Sequence, residues 1–373
     1  MKELTPDQLL AAEVESVFDQ FMYLPNKHAS TVMTLWVEHT HLRNADEEFQ
    51  PYITPRLAFL SKQAGSGKSL ATELVTKLSF NGEMVLEPTP PSITTLMNVD
   101  HATVGFDEID TYFGRGSGKL AMRAILNGGY KRGSSVTRQR SNEADRQNVY
   151  GPIVMNGKNA NLFLTHANFE TLRSRTISIV LEPKPRDYYV DRFNPEIYDS
   201  RLYGLMRRLR RWGVNNYRAV LSIPIDGLMP DRIANRAEEI WTVLFRVAEH
   251  LGGVWPQRVE EAARAMVLGE WDAEDDKVLS PAEEVLAGVR AVFTDADEFL
   301  PTTVILERLF ELPQPIAMVE EWALVPERAQ MMGLARTLGL FGHESSRHRI
   351  NGGDPVRGFS REDVGIDPAP MSI

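Results

Sequence analysis

Leu57-Ala58-Phe59-Leu60-Ser61-Lys62-Gln63-Ala64-Gly65-Ser66-Gly67-Lys68-Ser69-Leu70 is the stretch on which the reading of this 373-residue chain turns. The four apolar residues at its head suit a strand buried on both faces of a parallel sheet. Behind it Leu70, Leu74, Val75 and Leu78 recur at helical spacing. Between strand and helix stands a glycine-rich turn. Its backbone N–H groups, with the orphan N–H groups of the helix's first turn, converge on one place and favour an anion there. The expectation is a site for Mg·ATP lined by Gln63, Ala64, Gly65, Ser66, Gly67, Lys68, Ser69 and Leu70. Lys68 brings a point charge to the β- and γ-phosphates, and the Ser69 hydroxyl binds Mg²⁺. Lys62 stands where a first glycine is usual in such a turn. A Gly-Ser-Gly-Lys-Ser string can also be a solvated loop; the strand before it and the helix after it give it meaning.

Working outward, Thr103-Val104-Gly105-Phe106 reads as a second strand that delivers Asp107-Glu108 at its C-terminal end, where open parallel sheets bind ligands. Asp107 is expected to hold Mg²⁺ through water, and Glu108 to polarise the attacking water. An acidic pair after an apolar run is commonplace; its place one strand after Lys68 sets it apart. Ile153-Val154-Met155-Asn156 is another strand with a polar end, and Asn156 is expected to orient the water beside the γ-phosphate, or merely to open a turn with Gly157. Further on, Arg173-Ser174-Arg175 immediately precedes the strand-like Thr176-Ile177-Ser178-Ile179-Val180.

These motifs, in this order, resemble the AAA+ ATPases. The resemblance implies that the arginine before the last strand projects into a neighbouring subunit's ATP site, which makes Arg175 the expected trans arginine and Arg173 the second choice. It also implies a cis-acting arginine on the lid, Arg236 first and Arg232 after it. A narrower resemblance, to an uncharacterised P-loop family of actinobacterial, phage and plasmid proteins often found beside primase modules, spans nearly the whole chain. It rests on Leu35-Trp36-Val37-Glu38-His39-Thr40-His41, Asp107-Glu108-Ile109-Asp110-Thr111, Ile125-Leu126-Asn127-Gly128-Gly129-Tyr130, Asn235-Arg236-Ala237-Glu238-Glu239-Ile240-Trp241 and Arg357-Gly358-Phe359-Ser360-Arg361-Glu362-Asp363. Asn127 to Arg138 is similar to the pore hairpin of viral-type hexameric helicases, with Gly133-Ser134 as its turn. Lys131, Arg132 and Arg138 are then expected to contact DNA phosphates and Tyr130 to stack on a base. The bland alternative is an arm that meets a neighbouring subunit.

Composition sets the frame. With 43% hydrophobic and 25% charged residues the chain is of globular type, and the absence of cysteine excludes disulfides and thiolate metal sites. The acidic, amphipathic beginning and the lack of a long apolar run argue against a signal peptide or membrane span, so a cytoplasmic setting is expected. Net charge is −10, yet Arg115–Arg140 holds seven basic residues and no acid, and Arg201–Arg218 holds six arginines and no acid. For the latter an amphipathic helix with a solvated basic face is the favoured reading.

The expected fold is α/β: a P-loop, AAA+-like parallel sheet at 51–185. It is flanked by an N-terminal helical region at 1–50, a helical lid at 186–270 and a small winged-helix-like domain at 271–373. The expected activity is Mg-dependent ATP hydrolysis by a homo-oligomer, a hexameric ring among its forms, that acts on single-stranded or forked DNA with replication proteins as helicase, translocase or helicase loader. An ATP-gated scaffold or defence ATPase that acts on a protein partner is the alternative.

Overall fold

In β1 (Arg56–Leu60) every residue is buried, and the side chains divide by parity. Leu57 and Phe59 enter one hydrophobic core, Ala58 and Leu60 the other. A strand that alternates between two cores belongs inside a sheet covered on both faces. The computed structural model describes residues 4–43, 49–63, 65–112, 117–140, 143–157, 163–164, 169–186, 188–269, 281–294, 296–313, 315–339, 341–349 and 354–365. It divides into two units, Met1–Lys277 and Val278–Ile373.

The first unit begins with α1 (Pro6–Phe21) and α2 (Ala29–Thr40). Thr5 caps α1 as its sequence suggests: the hydroxyl accepts from Gln8 N–H at 3.2 Å, the Gln8 side chain accepts from Thr5 N–H at 3.0 Å, and Pro6 opens the helix. All twelve residues of α2 are buried, its polar ones included. After β1 come α3 (Lys68–Leu78), β2 (Gly82–Met84), α4 (Pro90–Val99) and β3 (Thr103–Phe106). Next are α5 (Ser117–Gly128), β4 (Ser135–Arg140), β5 (Glu143–Asn148), β6 (Ile153–Gly157), α6 (Glu170–Arg173) and β7 (Thr176–Val180).

Five strands form one parallel sheet in the order β2-β3-β6-β1-β7. One core joins it to α1, α2 and α3, and the other to α4 and α5. β4 and β5 form a separate antiparallel pair, Arg138 opposite Asp145. The hairpin thus lies one step later than the sequence suggested: Gly133, with φ +84°, turns the chain into β4, and the segment joining the strands, 141–142, is outside the described residues.

The unit ends with α7 (Pro195–Leu221), α8 (Asn235–Leu251), α9 (Trp255–Ala263) and a π-helical turn, Arg264–Leu268. On α7, Leu202, Leu205, Leu209 and Trp212 are buried while Arg201, Arg207, Arg208, Arg210 and Arg211 are exposed, the pattern of an amphipathic helix with a basic outer face.

The second unit has α10 (Pro281–Val292), β8 (Phe299–Pro301), α11 (Thr302–Phe310), α12 (Ala317–Trp322), α13 (Glu327–Gly339), β9 (Ser346–Arg349) and β10 (Pro355–Ser360). Its antiparallel sheet runs β8-β10-β9, and Val285, Val289, Ile305, Leu309, Leu334 and Phe359 are part of its core. Gly358 lets β10 close on β8, since a Cβ there would stand 2.1 Å from the Leu300 carbonyl oxygen. Among the described residues no helix is long and apolar enough to cross a membrane.

Candidate functional site

The pairing Phe59↔Asn156 and Phe106↔Met155 brings the C-terminal ends of β1, β6 and β3 level and side by side. The turn of residues 61–67 leaves β1 there and enters α3. Gly65 and Gly67 have φ of +77° and +84°, and a Cβ on either would meet nothing within 4 Å. Backbone conformation, not space, requires glycine at both positions. Gly67 is the N-cap of α3 and has no side-chain cap, and its carbonyl already accepts from Ala71 N–H at 2.9 Å. The first helical N–H groups thus belong to an end with the positive pole of the helix behind it. Lys68 folds over the turn, its ammonium donating to the Gln63 carbonyl and the Ser66 hydroxyl, each at 3.2 Å. Ser69 is exposed, Leu70 is half-buried, and Ala64 lies outside the described residues.

Asn156, 3% exposed, is the hub of this edge. Its amide nitrogen donates to the Asp107 carboxylate and, at 3.1 Å, to the Thr72 hydroxyl. Its oxygen accepts from Glu108 N–H at 3.5 Å, a long contact. Glu108 has φ +61°, a left-handed conformation uncommon for a non-glycine residue. The amide nitrogen thus joins Asp107 to Thr72, and orienting Asp107 is what these contacts support. Thr72 escaped the sequence reading. It lies one helical turn after Lys68, on the same side of α3, and its hydroxyl donates to the Lys68 carbonyl at 3.0 Å.

The chemical inventory of this edge is thus a helix N-terminus without a side-chain cap, one ammonium, two hydroxyls and an acidic pair of which Asp107 is held by Asn156. The donors have the chemistry to hold an anion, and the hydroxyls and carboxylates that to hold a cation. Among the described residues no group of three His, Asp or Glu forms a metal cage by itself. Mg²⁺ rarely needs one, because it keeps waters and shares phosphate oxygens.

The opposite edge of the sheet gathers the arginines. Arg175 precedes β7 and lies beside Arg56, whose N–H donates to the Arg175 carbonyl at 3.0 Å. Arg173 is engaged by its own chain, donating to the carbonyls of Phe163 at 3.0 Å and Leu164 at 2.5 Å. Arg175 rests over the Tyr130 ring, 5.2 Å from its centroid, and donates to the Ser174 hydroxyl at 3.1 Å. Arg236 lies over the same ring at 5.4 Å and donates to the Tyr130 hydroxyl and to Glu239. The structure therefore does not bring Arg236 to the Gly65–Lys68 turn, as a cis-acting role requires. It places Arg236 with Arg175 over the Tyr130 ring, and Arg236 also borders a cavity of about 440 Å³ with Arg173, Ser174, Thr176 and Ile240. Tyr130 is 5% exposed, so it does not offer a face for a base.

Beneath this cluster Arg56 is fully buried and donates to the carbonyls of Leu126 at 3.1 Å, Ile125 at 3.3 Å and Gly151. Burial above all, with Arg43 and Arg175 adding to it, brings Arg56 down to about 9. Gly129 permits this approach, since a Cβ there would be 2.1 Å from the Val149 carbonyl and 3.0 Å from an Arg56 nitrogen.

Lys131 and Arg132 are half-buried and flank Tyr52, their charged ends 5.0 and 5.8 Å from its ring centroid. Arg132 also donates to the Gln50 carbonyl at 2.9 Å. Arg138 lies on β4, and its strand position is all that is described.

Residues 182–365 match the model of a family described as a protein of unknown function, DUF3631. That span begins just after β7. It contains Arg236 and all of the described part of the second unit, but not the turn, Asp107, Asn156 or Arg175. No curated protein matches the chain.

Proposed function

We propose that this chain is a P-loop ATPase of AAA+-like build that hydrolyses ATP as a homo-oligomer and works on DNA. The observation that carries the reading is the edge where β1, β6 and β3 end together: the Gly65–Gly67 turn with Lys68 on one side, Asp107 and Glu108 held by Asn156 on the other. The turn's N–H groups and Lys68 hold the β- and γ-phosphates, and Ser69 and Asp107 hold Mg²⁺. When bound, Mg²⁺ neutralises charge on the transferred phosphoryl group. Glu108 polarises the attacking water, and Asn156 keeps the Asp107 carboxylate in place.

The parallel order β2-β3-β6-β1-β7 supports this reading, because β6 is inserted between the strand of the turn and the strand of the acidic pair. Arg175 lies at the far edge of the sheet. Five residues of β1 separate it from its own turn, about 16 Å at 3.3 Å per residue, well beyond one side chain. An arginine there serves a second copy, where its planar guanidinium suits the charge that develops on phosphate oxygens.

DNA contact is supported by Lys131 and Arg132 around Tyr52, which is 54% exposed and so supplies the aromatic face that Tyr130 does not. In the second unit the order helix, strand, three helices, two strands supports the winged-helix-like reading. Arg347, Arg349 and Arg357 are exposed on its last two strands.

The test is the steady-state ATPase rate per subunit against protein concentration, with and without single-stranded DNA, Lys68→Ala as the blank. A rate that climbs with concentration and rises further with DNA is expected. Hydrolysis by Lys68→Ala equal to wild type removes the nucleotide site; a rate indifferent to DNA removes the DNA motor and favours the protein-directed scaffold.

A further inference from the structure

Two guanidinium groups resting on one buried phenol ring form an arrangement that the proposed function leaves half unused. Tyr130 is pinned from both sides along the chain. Its carbonyl accepts from Thr54 N–H at 2.8 Å, and Gly129 before it is locked against the Val149 carbonyl. With its backbone held, the ring is a fixed platform that orders Arg175 and Arg236 together through its π-face. The hydroxyl adds a directional contact to Arg236 only.

The charges at this edge do not balance. Arg236 has Glu239 as a partner, the Arg236 side chain remaining 37% exposed. Arg175 has no carboxylate partner among the described residues, and its Nε is buried without an acceptor. Arg56 lies directly behind, with its donors on backbone carbonyls rather than on an acid. Three guanidiniums against one carboxylate leave a site that an external anion completes. Two guanidinium forks gathered on one ring fit the several oxygens of a terminal phosphate better than they fit one carboxylate.

We infer that Arg236 is a second trans arginine: with Arg175, and ordered by Tyr130, it receives the terminal phosphates of the nucleotide held in the Gly65–Lys68 turn of a second copy of this chain. The inference rests on the proposed ATPase reading and adds to it the partner's contact and a positioning residue. Arg175 and Arg236 are the groups that touch phosphate. Tyr130 acts through them.

Mixed oligomers decide the matter. Arg236→Ala chains retain the turn and lack the arginine; Lys68→Ala chains retain the arginines and lack the charge of the turn. Each alone is expected to turn over about 100-fold more slowly than wild type, the usual scale for loss of one group that stabilises developing charge. In an equimolar mixture the rate is expected to recover to about a quarter of wild type, the share of head-to-tail interfaces that join an intact turn to an intact arginine pair.

A mixture that stays inactive overturns the inference. If the parallel mixture of Arg175→Ala with Lys68→Ala does recover, the ATPase reading survives and only the role of Arg236 falls. A wild-type chain that binds no ATP overturns both. The hydroxyl's contact to Arg236 is tested separately with Tyr130→Phe, which keeps the ring and removes that contact. It is expected to lower kcat several-fold at unchanged ATP Kd and unchanged Tm, and kcat equal to wild type would exclude the Tyr130 hydroxyl as the group that positions Arg236.

Discussion

Asn156→Ala is the substitution whose consequences the structure specifies most fully. The side chain is 3% exposed and has three partners: the Asp107 carboxylate, the Thr72 hydroxyl and Glu108 N–H. Removing it takes one bond from a charged acceptor, a loss of about 1.5–3 kcal/mol, and one from a neutral hydroxyl, about 1 kcal/mol. The contact to Glu108 N–H, at 3.5 Å, adds little. Because Asp107 and Glu108 are half-buried and can recruit water, the cost to unit stability is expected at the lower end, about 2 kcal/mol.

The larger effect is on position. Asp107 is freed to turn away, so the Mg²⁺ concentration for half-maximal turnover is expected to rise about 10-fold, the equivalent of about 1.4 kcal/mol. Affinity for ATP measured without divalent cation stays as in wild type. The assays are guanidinium unfolding, ATP binding in EDTA and turnover against Mg²⁺. A variant that keeps wild-type stability and Mg²⁺ dependence, and loses only kcat, would refute the positioning argument and return Asn156 to the task of orienting water.

Stability should fall on mild acidification. Burial brings His39 down to about 3 and His41 to about 4, so both stay neutral in the fold while the unfolded chain takes up protons below pH 6.5. Their contribution is complete above pH 6.5, and about 4 kcal/mol of it is lost by pH 5. Unfolding of wild type and His41→Gln at both pH values checks this; a drop as large in the variant counts against His41. Glu38 has the opposite sign: burial raises its carboxyl well above the ordinary value, so its neutral form is favoured and stability declines as pH rises from 4.5 through the folded value. Glu38→Gln is expected to raise Tm at pH 8 and to lose that advantage towards pH 4.5, and a gain independent of pH would contradict the assignment. Replacing Lys131 and Arg132 together by alanine is expected to lower the slope of log affinity for single-stranded DNA against log salt by about 1–2; an unchanged slope clears both residues of phosphate contact.

Much of the frame was legible along the chain because it depends on local pattern. Burial on both faces leaves a near-continuous apolar run, and so Leu57–Leu60, Thr103–Phe106 and Thr176–Val180 announced strands. Thr5-Pro6 announced the start of α1 because capping is a matter of a few adjacent residues. The glycines of 65–67 were legible for the same reason, since a left-handed φ leaves a mark on residue type.

Contacts between distant residues left no such mark. Asn156 stood at a strand end in the sequence, but only the order β2-β3-β6-β1-β7 puts it between Asp107 and Thr72. Tyr130 read as an exposed aromatic among basic residues, yet Arg175 and Arg236 close over it from segments far along the chain. The residue type and helix of Arg236 suggest a role at its own turn, and only the tertiary contacts set it over Tyr130 beside Arg175. Period and residue type determine which segments become strands, helices and turns. Which strand ends share an edge, and which arginines share a ring, is decided by crossovers and register, and those follow from packing the whole sheet at once.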